Sequence, residues 1–195
     1  MSVQNAFLAL LSLGPAYGSQ LQAEFLARAA HRRQLNAGQV YSTLDRLTDQ
    51  GLVESAGATD DGLPLYALTD AGREQALTWL THGPADARPD WDEMQDQVLV
   101  AASVAEADAL RVVADYRRSF TEKIRELDHD ADTRAVLAAN RAACLGAQAA
   151  IEWLDEVARA LNDDPSVLHQ ERSTERPRRG RRPISETSGE TVAEN

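Results

Sequence analysis

Polar and charged side chains recur on one face of a short amphipathic stretch in the N-terminal half of the chain. Val40, Leu44 and Leu47 follow the i, i+4, i+7 spacing of a buried helical face. The opposite face carries amide, hydroxyl, carboxylate and guanidinium groups, on Gln39, Tyr41, Ser42, Asp45 and Arg46. Such groups can bond to base edges in a major groove and to phosphate oxygens. The pattern favours a recognition helix, and an ordinary amphipathic helix with a solvated polar face stays open as the alternative.

Cap and turn residues mark both ends of this helix. Asn36 and Gly38 supply cap and turn chemistry at its start, and Gly51 ends it. Directly before the helix lie the densest positive charges of the N-terminal part of the chain, on His31, Arg32 and Arg33. These cations are placed either to contact a backbone phosphate or to favour the dipole at the end of the preceding helix.

Two helices precede this stretch and must position it. Residues 4–13 are almost continuously apolar, which predicts a first helix that is buried on more than one side and ends at Gly14 and Pro15. A second, amphipathic helix has Leu21 and Phe25 in its apolar stripe. Its polar face, which we expect to contact water, holds Gln20, Gln22, Glu24 and Arg28.

Two short extended runs follow the candidate recognition helix. The turn signal Asp-Asp-Gly at residues 60–62 separates them, and Pro64 places the second run at a sheet edge. Thr69 then caps a fourth helix. Three helices, a two-stranded wing and a helix, in this order, predict a mainly α protein with a winged helix-turn-helix DNA-binding domain over residues 1–82.

The next part of the chain has helical patterns. Residues 83–89 are predicted to be a linker, and residues 90–162 a C-terminal antiparallel helical dimerisation domain. Ser103 with Glu106 has the spacing of a capping box that would begin the second helix of this domain. Small residues midway along the last helix predict close packing on its neighbour and on a second subunit.

Large side chains in this helical part are candidates for an effector site or an interface: Trp91, Arg117 and Trp153. Arg117 occupies the charged position of an otherwise apolar heptad seam. It either extends its charge to solvent from the edge of the seam or faces an anionic ligand or a partner carboxylate. Trp153 is either an interface anchor or a platform for a ligand.

The end of the chain has a different composition. Residues 171–195 lack apolar periodicity and are rich in Arg, Pro, Ser, Thr and Glu, which predicts a disordered tail. Four arginines in the tail surround Gly180, namely Arg178, Arg179, Arg181 and Arg182. The arrangement resembles an expanded AT-hook, whose arginines lie in a narrow minor groove, and a plain solvated tail is the alternative.

The net charge of −11 weighs against a nucleic-acid partner, because Lys and Arg usually supply most of the affinity for phosphates. The charge is uneven: residues 1–80 carry −3, residues 81–170 carry −9 and residues 171–195 carry +1. Most of the acid therefore lies outside the candidate DNA-binding domain. Because that domain is still not basic, we expect modest affinity per subunit and a need for dimerisation.

Composition limits the class of protein further. The single cysteine, Cys144, excludes an internal disulfide and fits a reducing compartment, so we expect a cytoplasmic location. The apolar run at residues 6–13 is too short for a membrane span, which needs roughly 20 residues. The four histidines lack metal-ligand spacing and no phosphate-binding glycine loop is present, so we expect no cofactor, no metal and no enzymatic activity.

Three blocks of the sequence resemble the PadR family of bacterial transcriptional regulators. They are LALLSLGPAYGSQL at residues 8–21, NAGQVYSTLDRLTDQGLV at residues 36–53 and LYALTDAGRE at residues 65–74. The resemblance implies a homodimer that binds an inverted-repeat operator in double-stranded DNA. It further implies a repressor that a small-molecule effector releases, and some members of the family bind flat aromatic effectors.

The resemblance also implies which residues lie at the DNA. These are Asn36, Gly38, Gln39, Tyr41 and Ser42, with Arg46 approaching the backbone. The wing departs from the family pattern, because Asp60 and Asp61 stand where Arg or Lys is common. An acidic wing would repel phosphates, so a winged-helix interaction module that does not bind DNA stays open as the alternative function. A DNA-binding protein without an effector is a further alternative.

Overall fold

The structure, a computed structural model, describes residues 2–29, 31–32, 34–83, 90–127 and 133–173. Its N-terminal elements are α1 (Ser2–Leu11), α2 (Gly18–Arg28), α3 (Ala37–Asp49), β1 (Val53–Ala58), β2 (Pro64–Leu68) and α4 (Asp70–Thr81). Three longer helices follow: α5 (Trp91–Ser103), α6 (Ala109–Glu126) and α7 (Arg134–Asp163). The predicted fold class, a winged helix-turn-helix with a two-stranded wing followed by C-terminal helices, is confirmed.

The first helix forms the centre of the winged-helix core. Its residues from Ala6 to Leu11 are at most 3% exposed, because α1 packs against α2, α3, α4 and α5. The Phe7 ring meets the Phe25 ring of α2 edge to face, with centroids 6.2 Å apart. Burial on more than one side, as the continuous apolar run predicts, therefore fixes the position of α2.

The wing is an antiparallel pair in which Val53 lies opposite Leu68. Ala16, in the turn before α2, adds a short third pairing that the sequence pattern does not predict. Its N–H donates to the Tyr66 carbonyl at 3.0 Å, and the Tyr66 N–H donates back at 2.9 Å. A single bridged residue has no period-two pattern, so only the fold reveals that the wing is joined to the start of α2.

The junction between the wing and α4 depends on a glycine. The Thr69 hydroxyl accepts from the Gly72 N–H at 3.1 Å and donates to the Gly51 carbonyl at 2.8 Å, which confirms Thr69 as the helix cap. A Cβ atom on Gly72 would lie 1.9 Å from the Leu52 carbonyl oxygen. The first turn of α4 therefore packs directly on the backbone that follows α3.

The second C-terminal helix does not begin where the capping-box spacing predicts. Ser103 is the last residue of α5, and its hydroxyl donates to the Val100 carbonyl at 2.7 Å. Asp108 caps α6 instead, since its carboxylate accepts from the Arg111 N–H at 3.0 Å. The prediction from Ser103 and Glu106 is wrong because residues 104–107 form a turn between the two helices.

The C-terminal helices share one hydrophobic core with the winged helix. Gln97 of α5 links them: its side-chain N–H groups donate to the carbonyls of Trp79 and His82, at 2.6 and 2.7 Å. Tyr116 of α6 donates to the Gln97 side-chain oxygen at 2.7 Å, and burial raises the pKa of the Tyr116 hydroxyl well above its ordinary value. Because the core is continuous, the division into residues 1–82 and 90–162 stays a prediction, and residues 84–89 lie outside the described ranges.

Helices α6 and α7 pack side by side in opposite directions. Arg117 of α6 meets Asp155 of α7, while Leu110, nearer the start of α6, lies beside Leu161 near the end of α7. Ala147 and Ala150, small residues midway along α7, are buried, together with Leu154, Val157 and Leu161. Nowhere in the described part of the chain is a helix both long and apolar enough to cross a bilayer.

The residues after α7, 164–173, return to the winged helix, and we call them the C-terminal segment. The Ser173 N–H donates to the Glu24 carboxylate at 2.7 Å, and the Gln170 carbonyl accepts from the Arg28 guanidinium at 2.9 Å. Glu24 and Arg28 are therefore buried and paired with each other, so the prediction that they contact water is wrong. Of the predicted disordered tail, residues 171–173 are described and the rest lies outside the described residues, so its disorder stays a prediction.

Candidate nucleic-acid interface

Helix α3 is held by its cap and its buried face. The Asn36 side-chain oxygen accepts from the Gln39 N–H at 2.7 Å, so this predicted DNA contact is also the N-cap. Val40, Leu44 and Leu47 are at most 1% exposed and pack into the winged-helix core. Gly51, with φ +68°, adopts the left-handed conformation that ends the helix. These local features orient the opposite face outward.

The outward face of α3 carries the groups that the spacing predicts. Its exposed side chains are those of Gln39, Tyr41, Ser42, Asp45 and Arg46, and Gly38 is exposed in the first turn. The Ser42 hydroxyl donates to the backbone carbonyl of Gln39 at 3.1 Å. This bond does not use the side-chain amide of Gln39. Arg46 is the single cation of the helix, one turn beyond Ser42. An amide, two hydroxyls, a carboxylate and a guanidinium therefore share one solvent-facing surface, which we call the α3 face.

Tyr41 is steered by two neighbours that the sequence pattern does not single out. A Cβ atom on Gly18 would lie 3.0 Å from Tyr41 Cε1, so the absence of a side chain at the start of α2 makes room for the ring. Tyr66 of β2 lies close by, and burial, followed by Asp45 and Tyr41, raises the pKa of its hydroxyl. Tyr41 itself is 44% exposed. The tyrosine of the wing therefore borders the α3 face, a placement that requires the strand pairing to be known.

Arg32, predicted to contact DNA, is bound by a carboxylate of α5. Its Nε and Nη2 atoms donate to the two Asp96 oxygens at 3.1 and 2.8 Å, and Asp92 lies 3.6 Å from Nη1. The hydrogen bonds to Asp96 raise the pKa of the Arg32 guanidinium. Asp96 is 0% exposed and also lies 3.2 Å from His31 Nε2. The turn before α3 is thus tied to α5, and contact of Arg32 with a phosphate stays a prediction.

Other predicted cations lie outside the described residues. These are Arg33 before α3 and, in the tail, Arg178, Arg179, Arg181 and Arg182. At the wing tip the charge is negative, as the sequence indicates. Asp61 accepts from the Thr59 hydroxyl at 2.6 Å, and Asp60 and Asp61 are both exposed. Among the described residues, the interface therefore combines one exposed arginine on α3 with an acidic turn.

The candidate effector or interface residues occupy two places. The rings of Trp91 and Trp153 lie 6.3 Å apart at 48°, and Trp91 is 41% exposed. Arg117 Nε donates to Asp155 Oδ1 at 2.7 Å, with both side chains about half exposed. Arg117 therefore reaches solvent at the edge of the seam. Its pairing with Asp155 is within one chain, and contact of Arg117 with a ligand or a partner carboxylate stays a prediction.

Comparison with known proteins gives a family match for the N-terminal part. Residues 7–77 match the model of the Transcriptional regulator PadR-like family. Bacillus subtilis PadR in complex with operator DNA is 18% identical, with 83% of this chain and 99% of that chain covered and a TM-score of 0.39. Bacillus subtilis PadR in complex with p-coumaric acid is 19% identical, with 84% of this chain and 97% of that chain covered and a TM-score of 0.36.

A PadR-like transcriptional regulator from Bacillus cereus is 16% identical, with 83% of this chain and 98% of that chain covered and a TM-score of 0.35. No curated protein shows significant similarity to the chain. The family match covers α2, α3 and the wing, which are the elements that build and orient the α3 face. Over residues 7–77 the chain is therefore similar to the PadR-like family of transcriptional regulators.

Proposed function

We propose that this protein is a sequence-specific DNA-binding transcriptional regulator, acting as a homodimeric repressor that a small-molecule effector releases. The observation that carries the proposal is the α3 face, which a cap at Asn36 and a fully buried opposite face hold out toward solvent. Gln39 and Tyr41 supply donors and acceptors for base edges and phosphates, and Arg46 supplies a positive charge for the backbone. The family match over residues 7–77 supports the same class.

Apolar side chains on α7 support the homodimer. Val136, Leu137 and Leu145 are 46%, 38% and 49% exposed, although other apolar residues of α7 are buried. A second copy would cover them and bring two α3 faces into one twofold arrangement. Two such helices fit successive major grooves when they are about 34 Å apart, which is why the target would be an inverted repeat. Because the target is chromosomal, the proposal places the protein in the cytoplasm.

Replacing Gln39 or Tyr41 with alanine tests the proposal directly. Each change removes groups that read a base or position the backbone, so we expect operator affinity to fall about tenfold to a hundredfold, which corresponds to 1–3 kcal/mol. The measurement is fluorescence anisotropy with DNA from upstream of the protein's own gene, at low and moderate salt. Sedimentation should show that the dimer is unchanged.

Gln75→Ala is the matched control. Gln75 is exposed on α4, and its side chain donates to the Asn5 side-chain oxygen at 2.9 Å, away from the α3 face. Its loss should leave DNA affinity unchanged. If Gln39→Ala and Tyr41→Ala both bind like the parent protein, the α3 face does not contact DNA and the proposal fails.

Deleting residues 174–195 tests the arginine tail. The cut leaves Ser173 on Glu24 and so preserves the C-terminal segment. If the tail arginines lie in a minor groove, the deletion lowers operator affinity and flattens the dependence of log K on log salt by about 0.9 for each phosphate that the tail neutralises. A matched variant with Arg178, Arg179, Arg181 and Arg182 changed to Gln should behave like the deletion. An identical salt slope for all three proteins rules out binding of the tail to DNA.

A winged-helix interaction module that does not bind DNA is the second candidate. It is favoured by the acidic wing tip at Asp60 and Asp61 and by the engagement of Arg32 with Asp96. Both features reduce the positive charge available to phosphates. The same anisotropy titration separates the two functions, because an interaction module would bind none of the upstream fragments even at low salt.

A further inference from the structure

A cavity of about 520 Å³ lies where the turn between α5 and α6 meets the end of α7. Its apolar wall includes Ala102, Val104, Leu110 and Leu161. The volume falls in the range of pockets that enclose small organic ligands. The cavity is formed within one chain and is separate from the Trp91 and Trp153 pair, since neither tryptophan lines it.

The polar atoms of the cavity favour a ligand that donates hydrogen bonds. Asp108 contributes a carboxylate, of which Oδ1 accepts from the Arg111 N–H at 3.0 Å. Asn162 uses one side-chain N–H on the Ala158 carbonyl at 2.7 Å, and its side-chain oxygen can accept from a ligand. A ligand carboxylate would meet the negative charge of Asp108. An uncharged molecule with an N–H or O–H group fits this chemistry better.

One wall of the cavity belongs to the C-terminal segment. Pro165, Ser166 and His169 line the cavity. The next residue, Gln170, forms hydrogen bonds through both its backbone N–H and its backbone carbonyl. Its N–H donates to the Ser103 carbonyl at 3.2 Å, at the end of α5, and its carbonyl accepts from Arg28 of α2 at 2.9 Å. A single residue, Gln170, therefore links the cavity wall at His169 to α2, the helix that packs against α3.

Two further residues of the C-terminal segment, Arg172 and Ser173, extend this link along α2. The Arg172 guanidinium donates to the Gln20 side-chain oxygen at 3.2 Å and to the Leu13 carbonyl at 3.3 Å. Ser173 donates to Glu24 at 2.7 Å. The segment thus crosses α2 from Arg28 toward its N-terminal half, where a Cβ atom on Gly18 would lie 3.0 Å from the Tyr41 ring of the α3 face. A displacement of the segment changes the contacts that fix α2.

We propose that this cavity binds an uncharged, mainly apolar small molecule and that the C-terminal segment couples its occupancy to α2. The coupling rests on the proposed DNA-binding function, whereas the binding site does not. A ligand that fits one position of residues 165–169 better than another shifts the segment toward that position. Because coupling is reciprocal, operator DNA changes the affinity for the ligand by the same factor that the ligand changes the affinity for DNA.

The probe for the site is N-phenyl-1-naphthylamine, an uncharged apolar dye with one N–H donor whose fluorescence increases out of water. We expect saturable binding of one dye per chain. Ala105→Phe places an aromatic ring at the mouth of the cavity, from an exposed alanine in the turn, and should raise the dissociation constant roughly tenfold or more. Ala109→Leu, from the start of α6, gives a second filling variant. Ala71→Phe, on the exposed side of α4, is the matched control and should bind like the parent protein.

Coupling is tested by adding operator DNA to the dye titration. We expect DNA to change the dye affinity in the parent protein and to lose that effect in Arg172→Gln, which keeps the cavity but weakens the segment's hold on α2. Equal dye binding by the parent protein, Ala105→Phe and Ala109→Leu overturns the site. A change of oligomeric state in Ala105→Phe or Ala109→Leu also overturns the proposed ligand site. In that case the cavity is part of an interface with a second copy of the chain. Dye binding at the cavity without any DNA binding supports the site and refutes only the proposed function.

Discussion

Gly72→Ala is expected to lower the free energy of unfolding by about 3 kcal/mol, at the upper end of overpacking costs. The new Cβ atom would lie 1.9 Å from the Leu52 carbonyl oxygen and 2.9 Å from its carbonyl carbon. Both atoms are backbone, so no side-chain rotation can make room. The usual gain of about 1 kcal/mol from alanine over glycine in a helix is too small to offset this clash. Urea denaturation followed by circular dichroism, at one protein concentration, measures the change.

Gly18→Ala is the control that separates backbone from side-chain crowding. Its Cβ atom would lie 3.0 Å from the Tyr41 ring, which is 44% exposed and free to turn toward solvent. We therefore expect a loss below about 1 kcal/mol, because the gain in helix propensity compensates for the displaced ring. Equal losses for the two variants would show that the contact between α4 and Leu52 does not limit the fold.

The features that could be predicted from the sequence have local causes. The cap at Thr69, the stop at Gly51 and the buried face of Val40, Leu44 and Leu47 each depend on residues within about two helical turns. Local preferences of this kind act before any distant contact forms. The outward position of the α3 face follows directly, because burying one side of a helix exposes the other. That is why the central part of the candidate site is accessible to sequence reasoning.

The features that could not be predicted depend on residues far apart in the chain. Glu24 and Arg28 have the spacing of a solvated helical face, yet they are buried and bonded to Ser173 and Gln170. The engagement of Arg32 by Asp96 likewise joins residues 64 positions apart. Helical periodicity shows which side of a helix is apolar, but it does not identify the residue with which a charged side chain pairs. Two arginines that the sequence pattern leaves open to solvent are therefore occupied within the chain.

Asp96→Ala is expected to lower the free energy of unfolding by about 3 kcal/mol, the lower end of the loss that follows removal of one partner from a buried ion pair. Asp96 is 0% exposed and accepts hydrogen bonds from Nε and Nη2 of the Arg32 guanidinium, at 3.1 and 2.8 Å. Its loss leaves the partly buried cation without this partner and leaves His31 Nε2 without a carboxylate 3.2 Å away. The lower end applies because the Arg32 side chain is 29% exposed and can recover some hydration.

Asp92→Ala is the matched control on the same helix. Its carboxylate lies 3.6 Å from Arg32 Nη1, but its side chain is 59% exposed, so the pair is screened by solvent. We expect its removal to change the free energy of unfolding by less than about 1 kcal/mol. The comparison holds the helix, the residue type and the cationic partner constant, while burial, pairing geometry and position along the helix differ. Similar losses for both variants would mean that Asp96 contributes no more than a surface carboxylate.

A double-mutant cycle tests whether Arg32 is the partner responsible. If the cost of Asp96→Ala arises from an unpaired guanidinium, it should shrink when Arg32 is also changed to Met, and the two changes together should cost less than the sum of each alone. We expect a coupling of about 2 kcal/mol, within the range found for residues in one ion-pair network. Additive losses would assign the cost to the cavity left by Asp96. In that case Arg32 is held only weakly in the turn before α3 and is available to a phosphate.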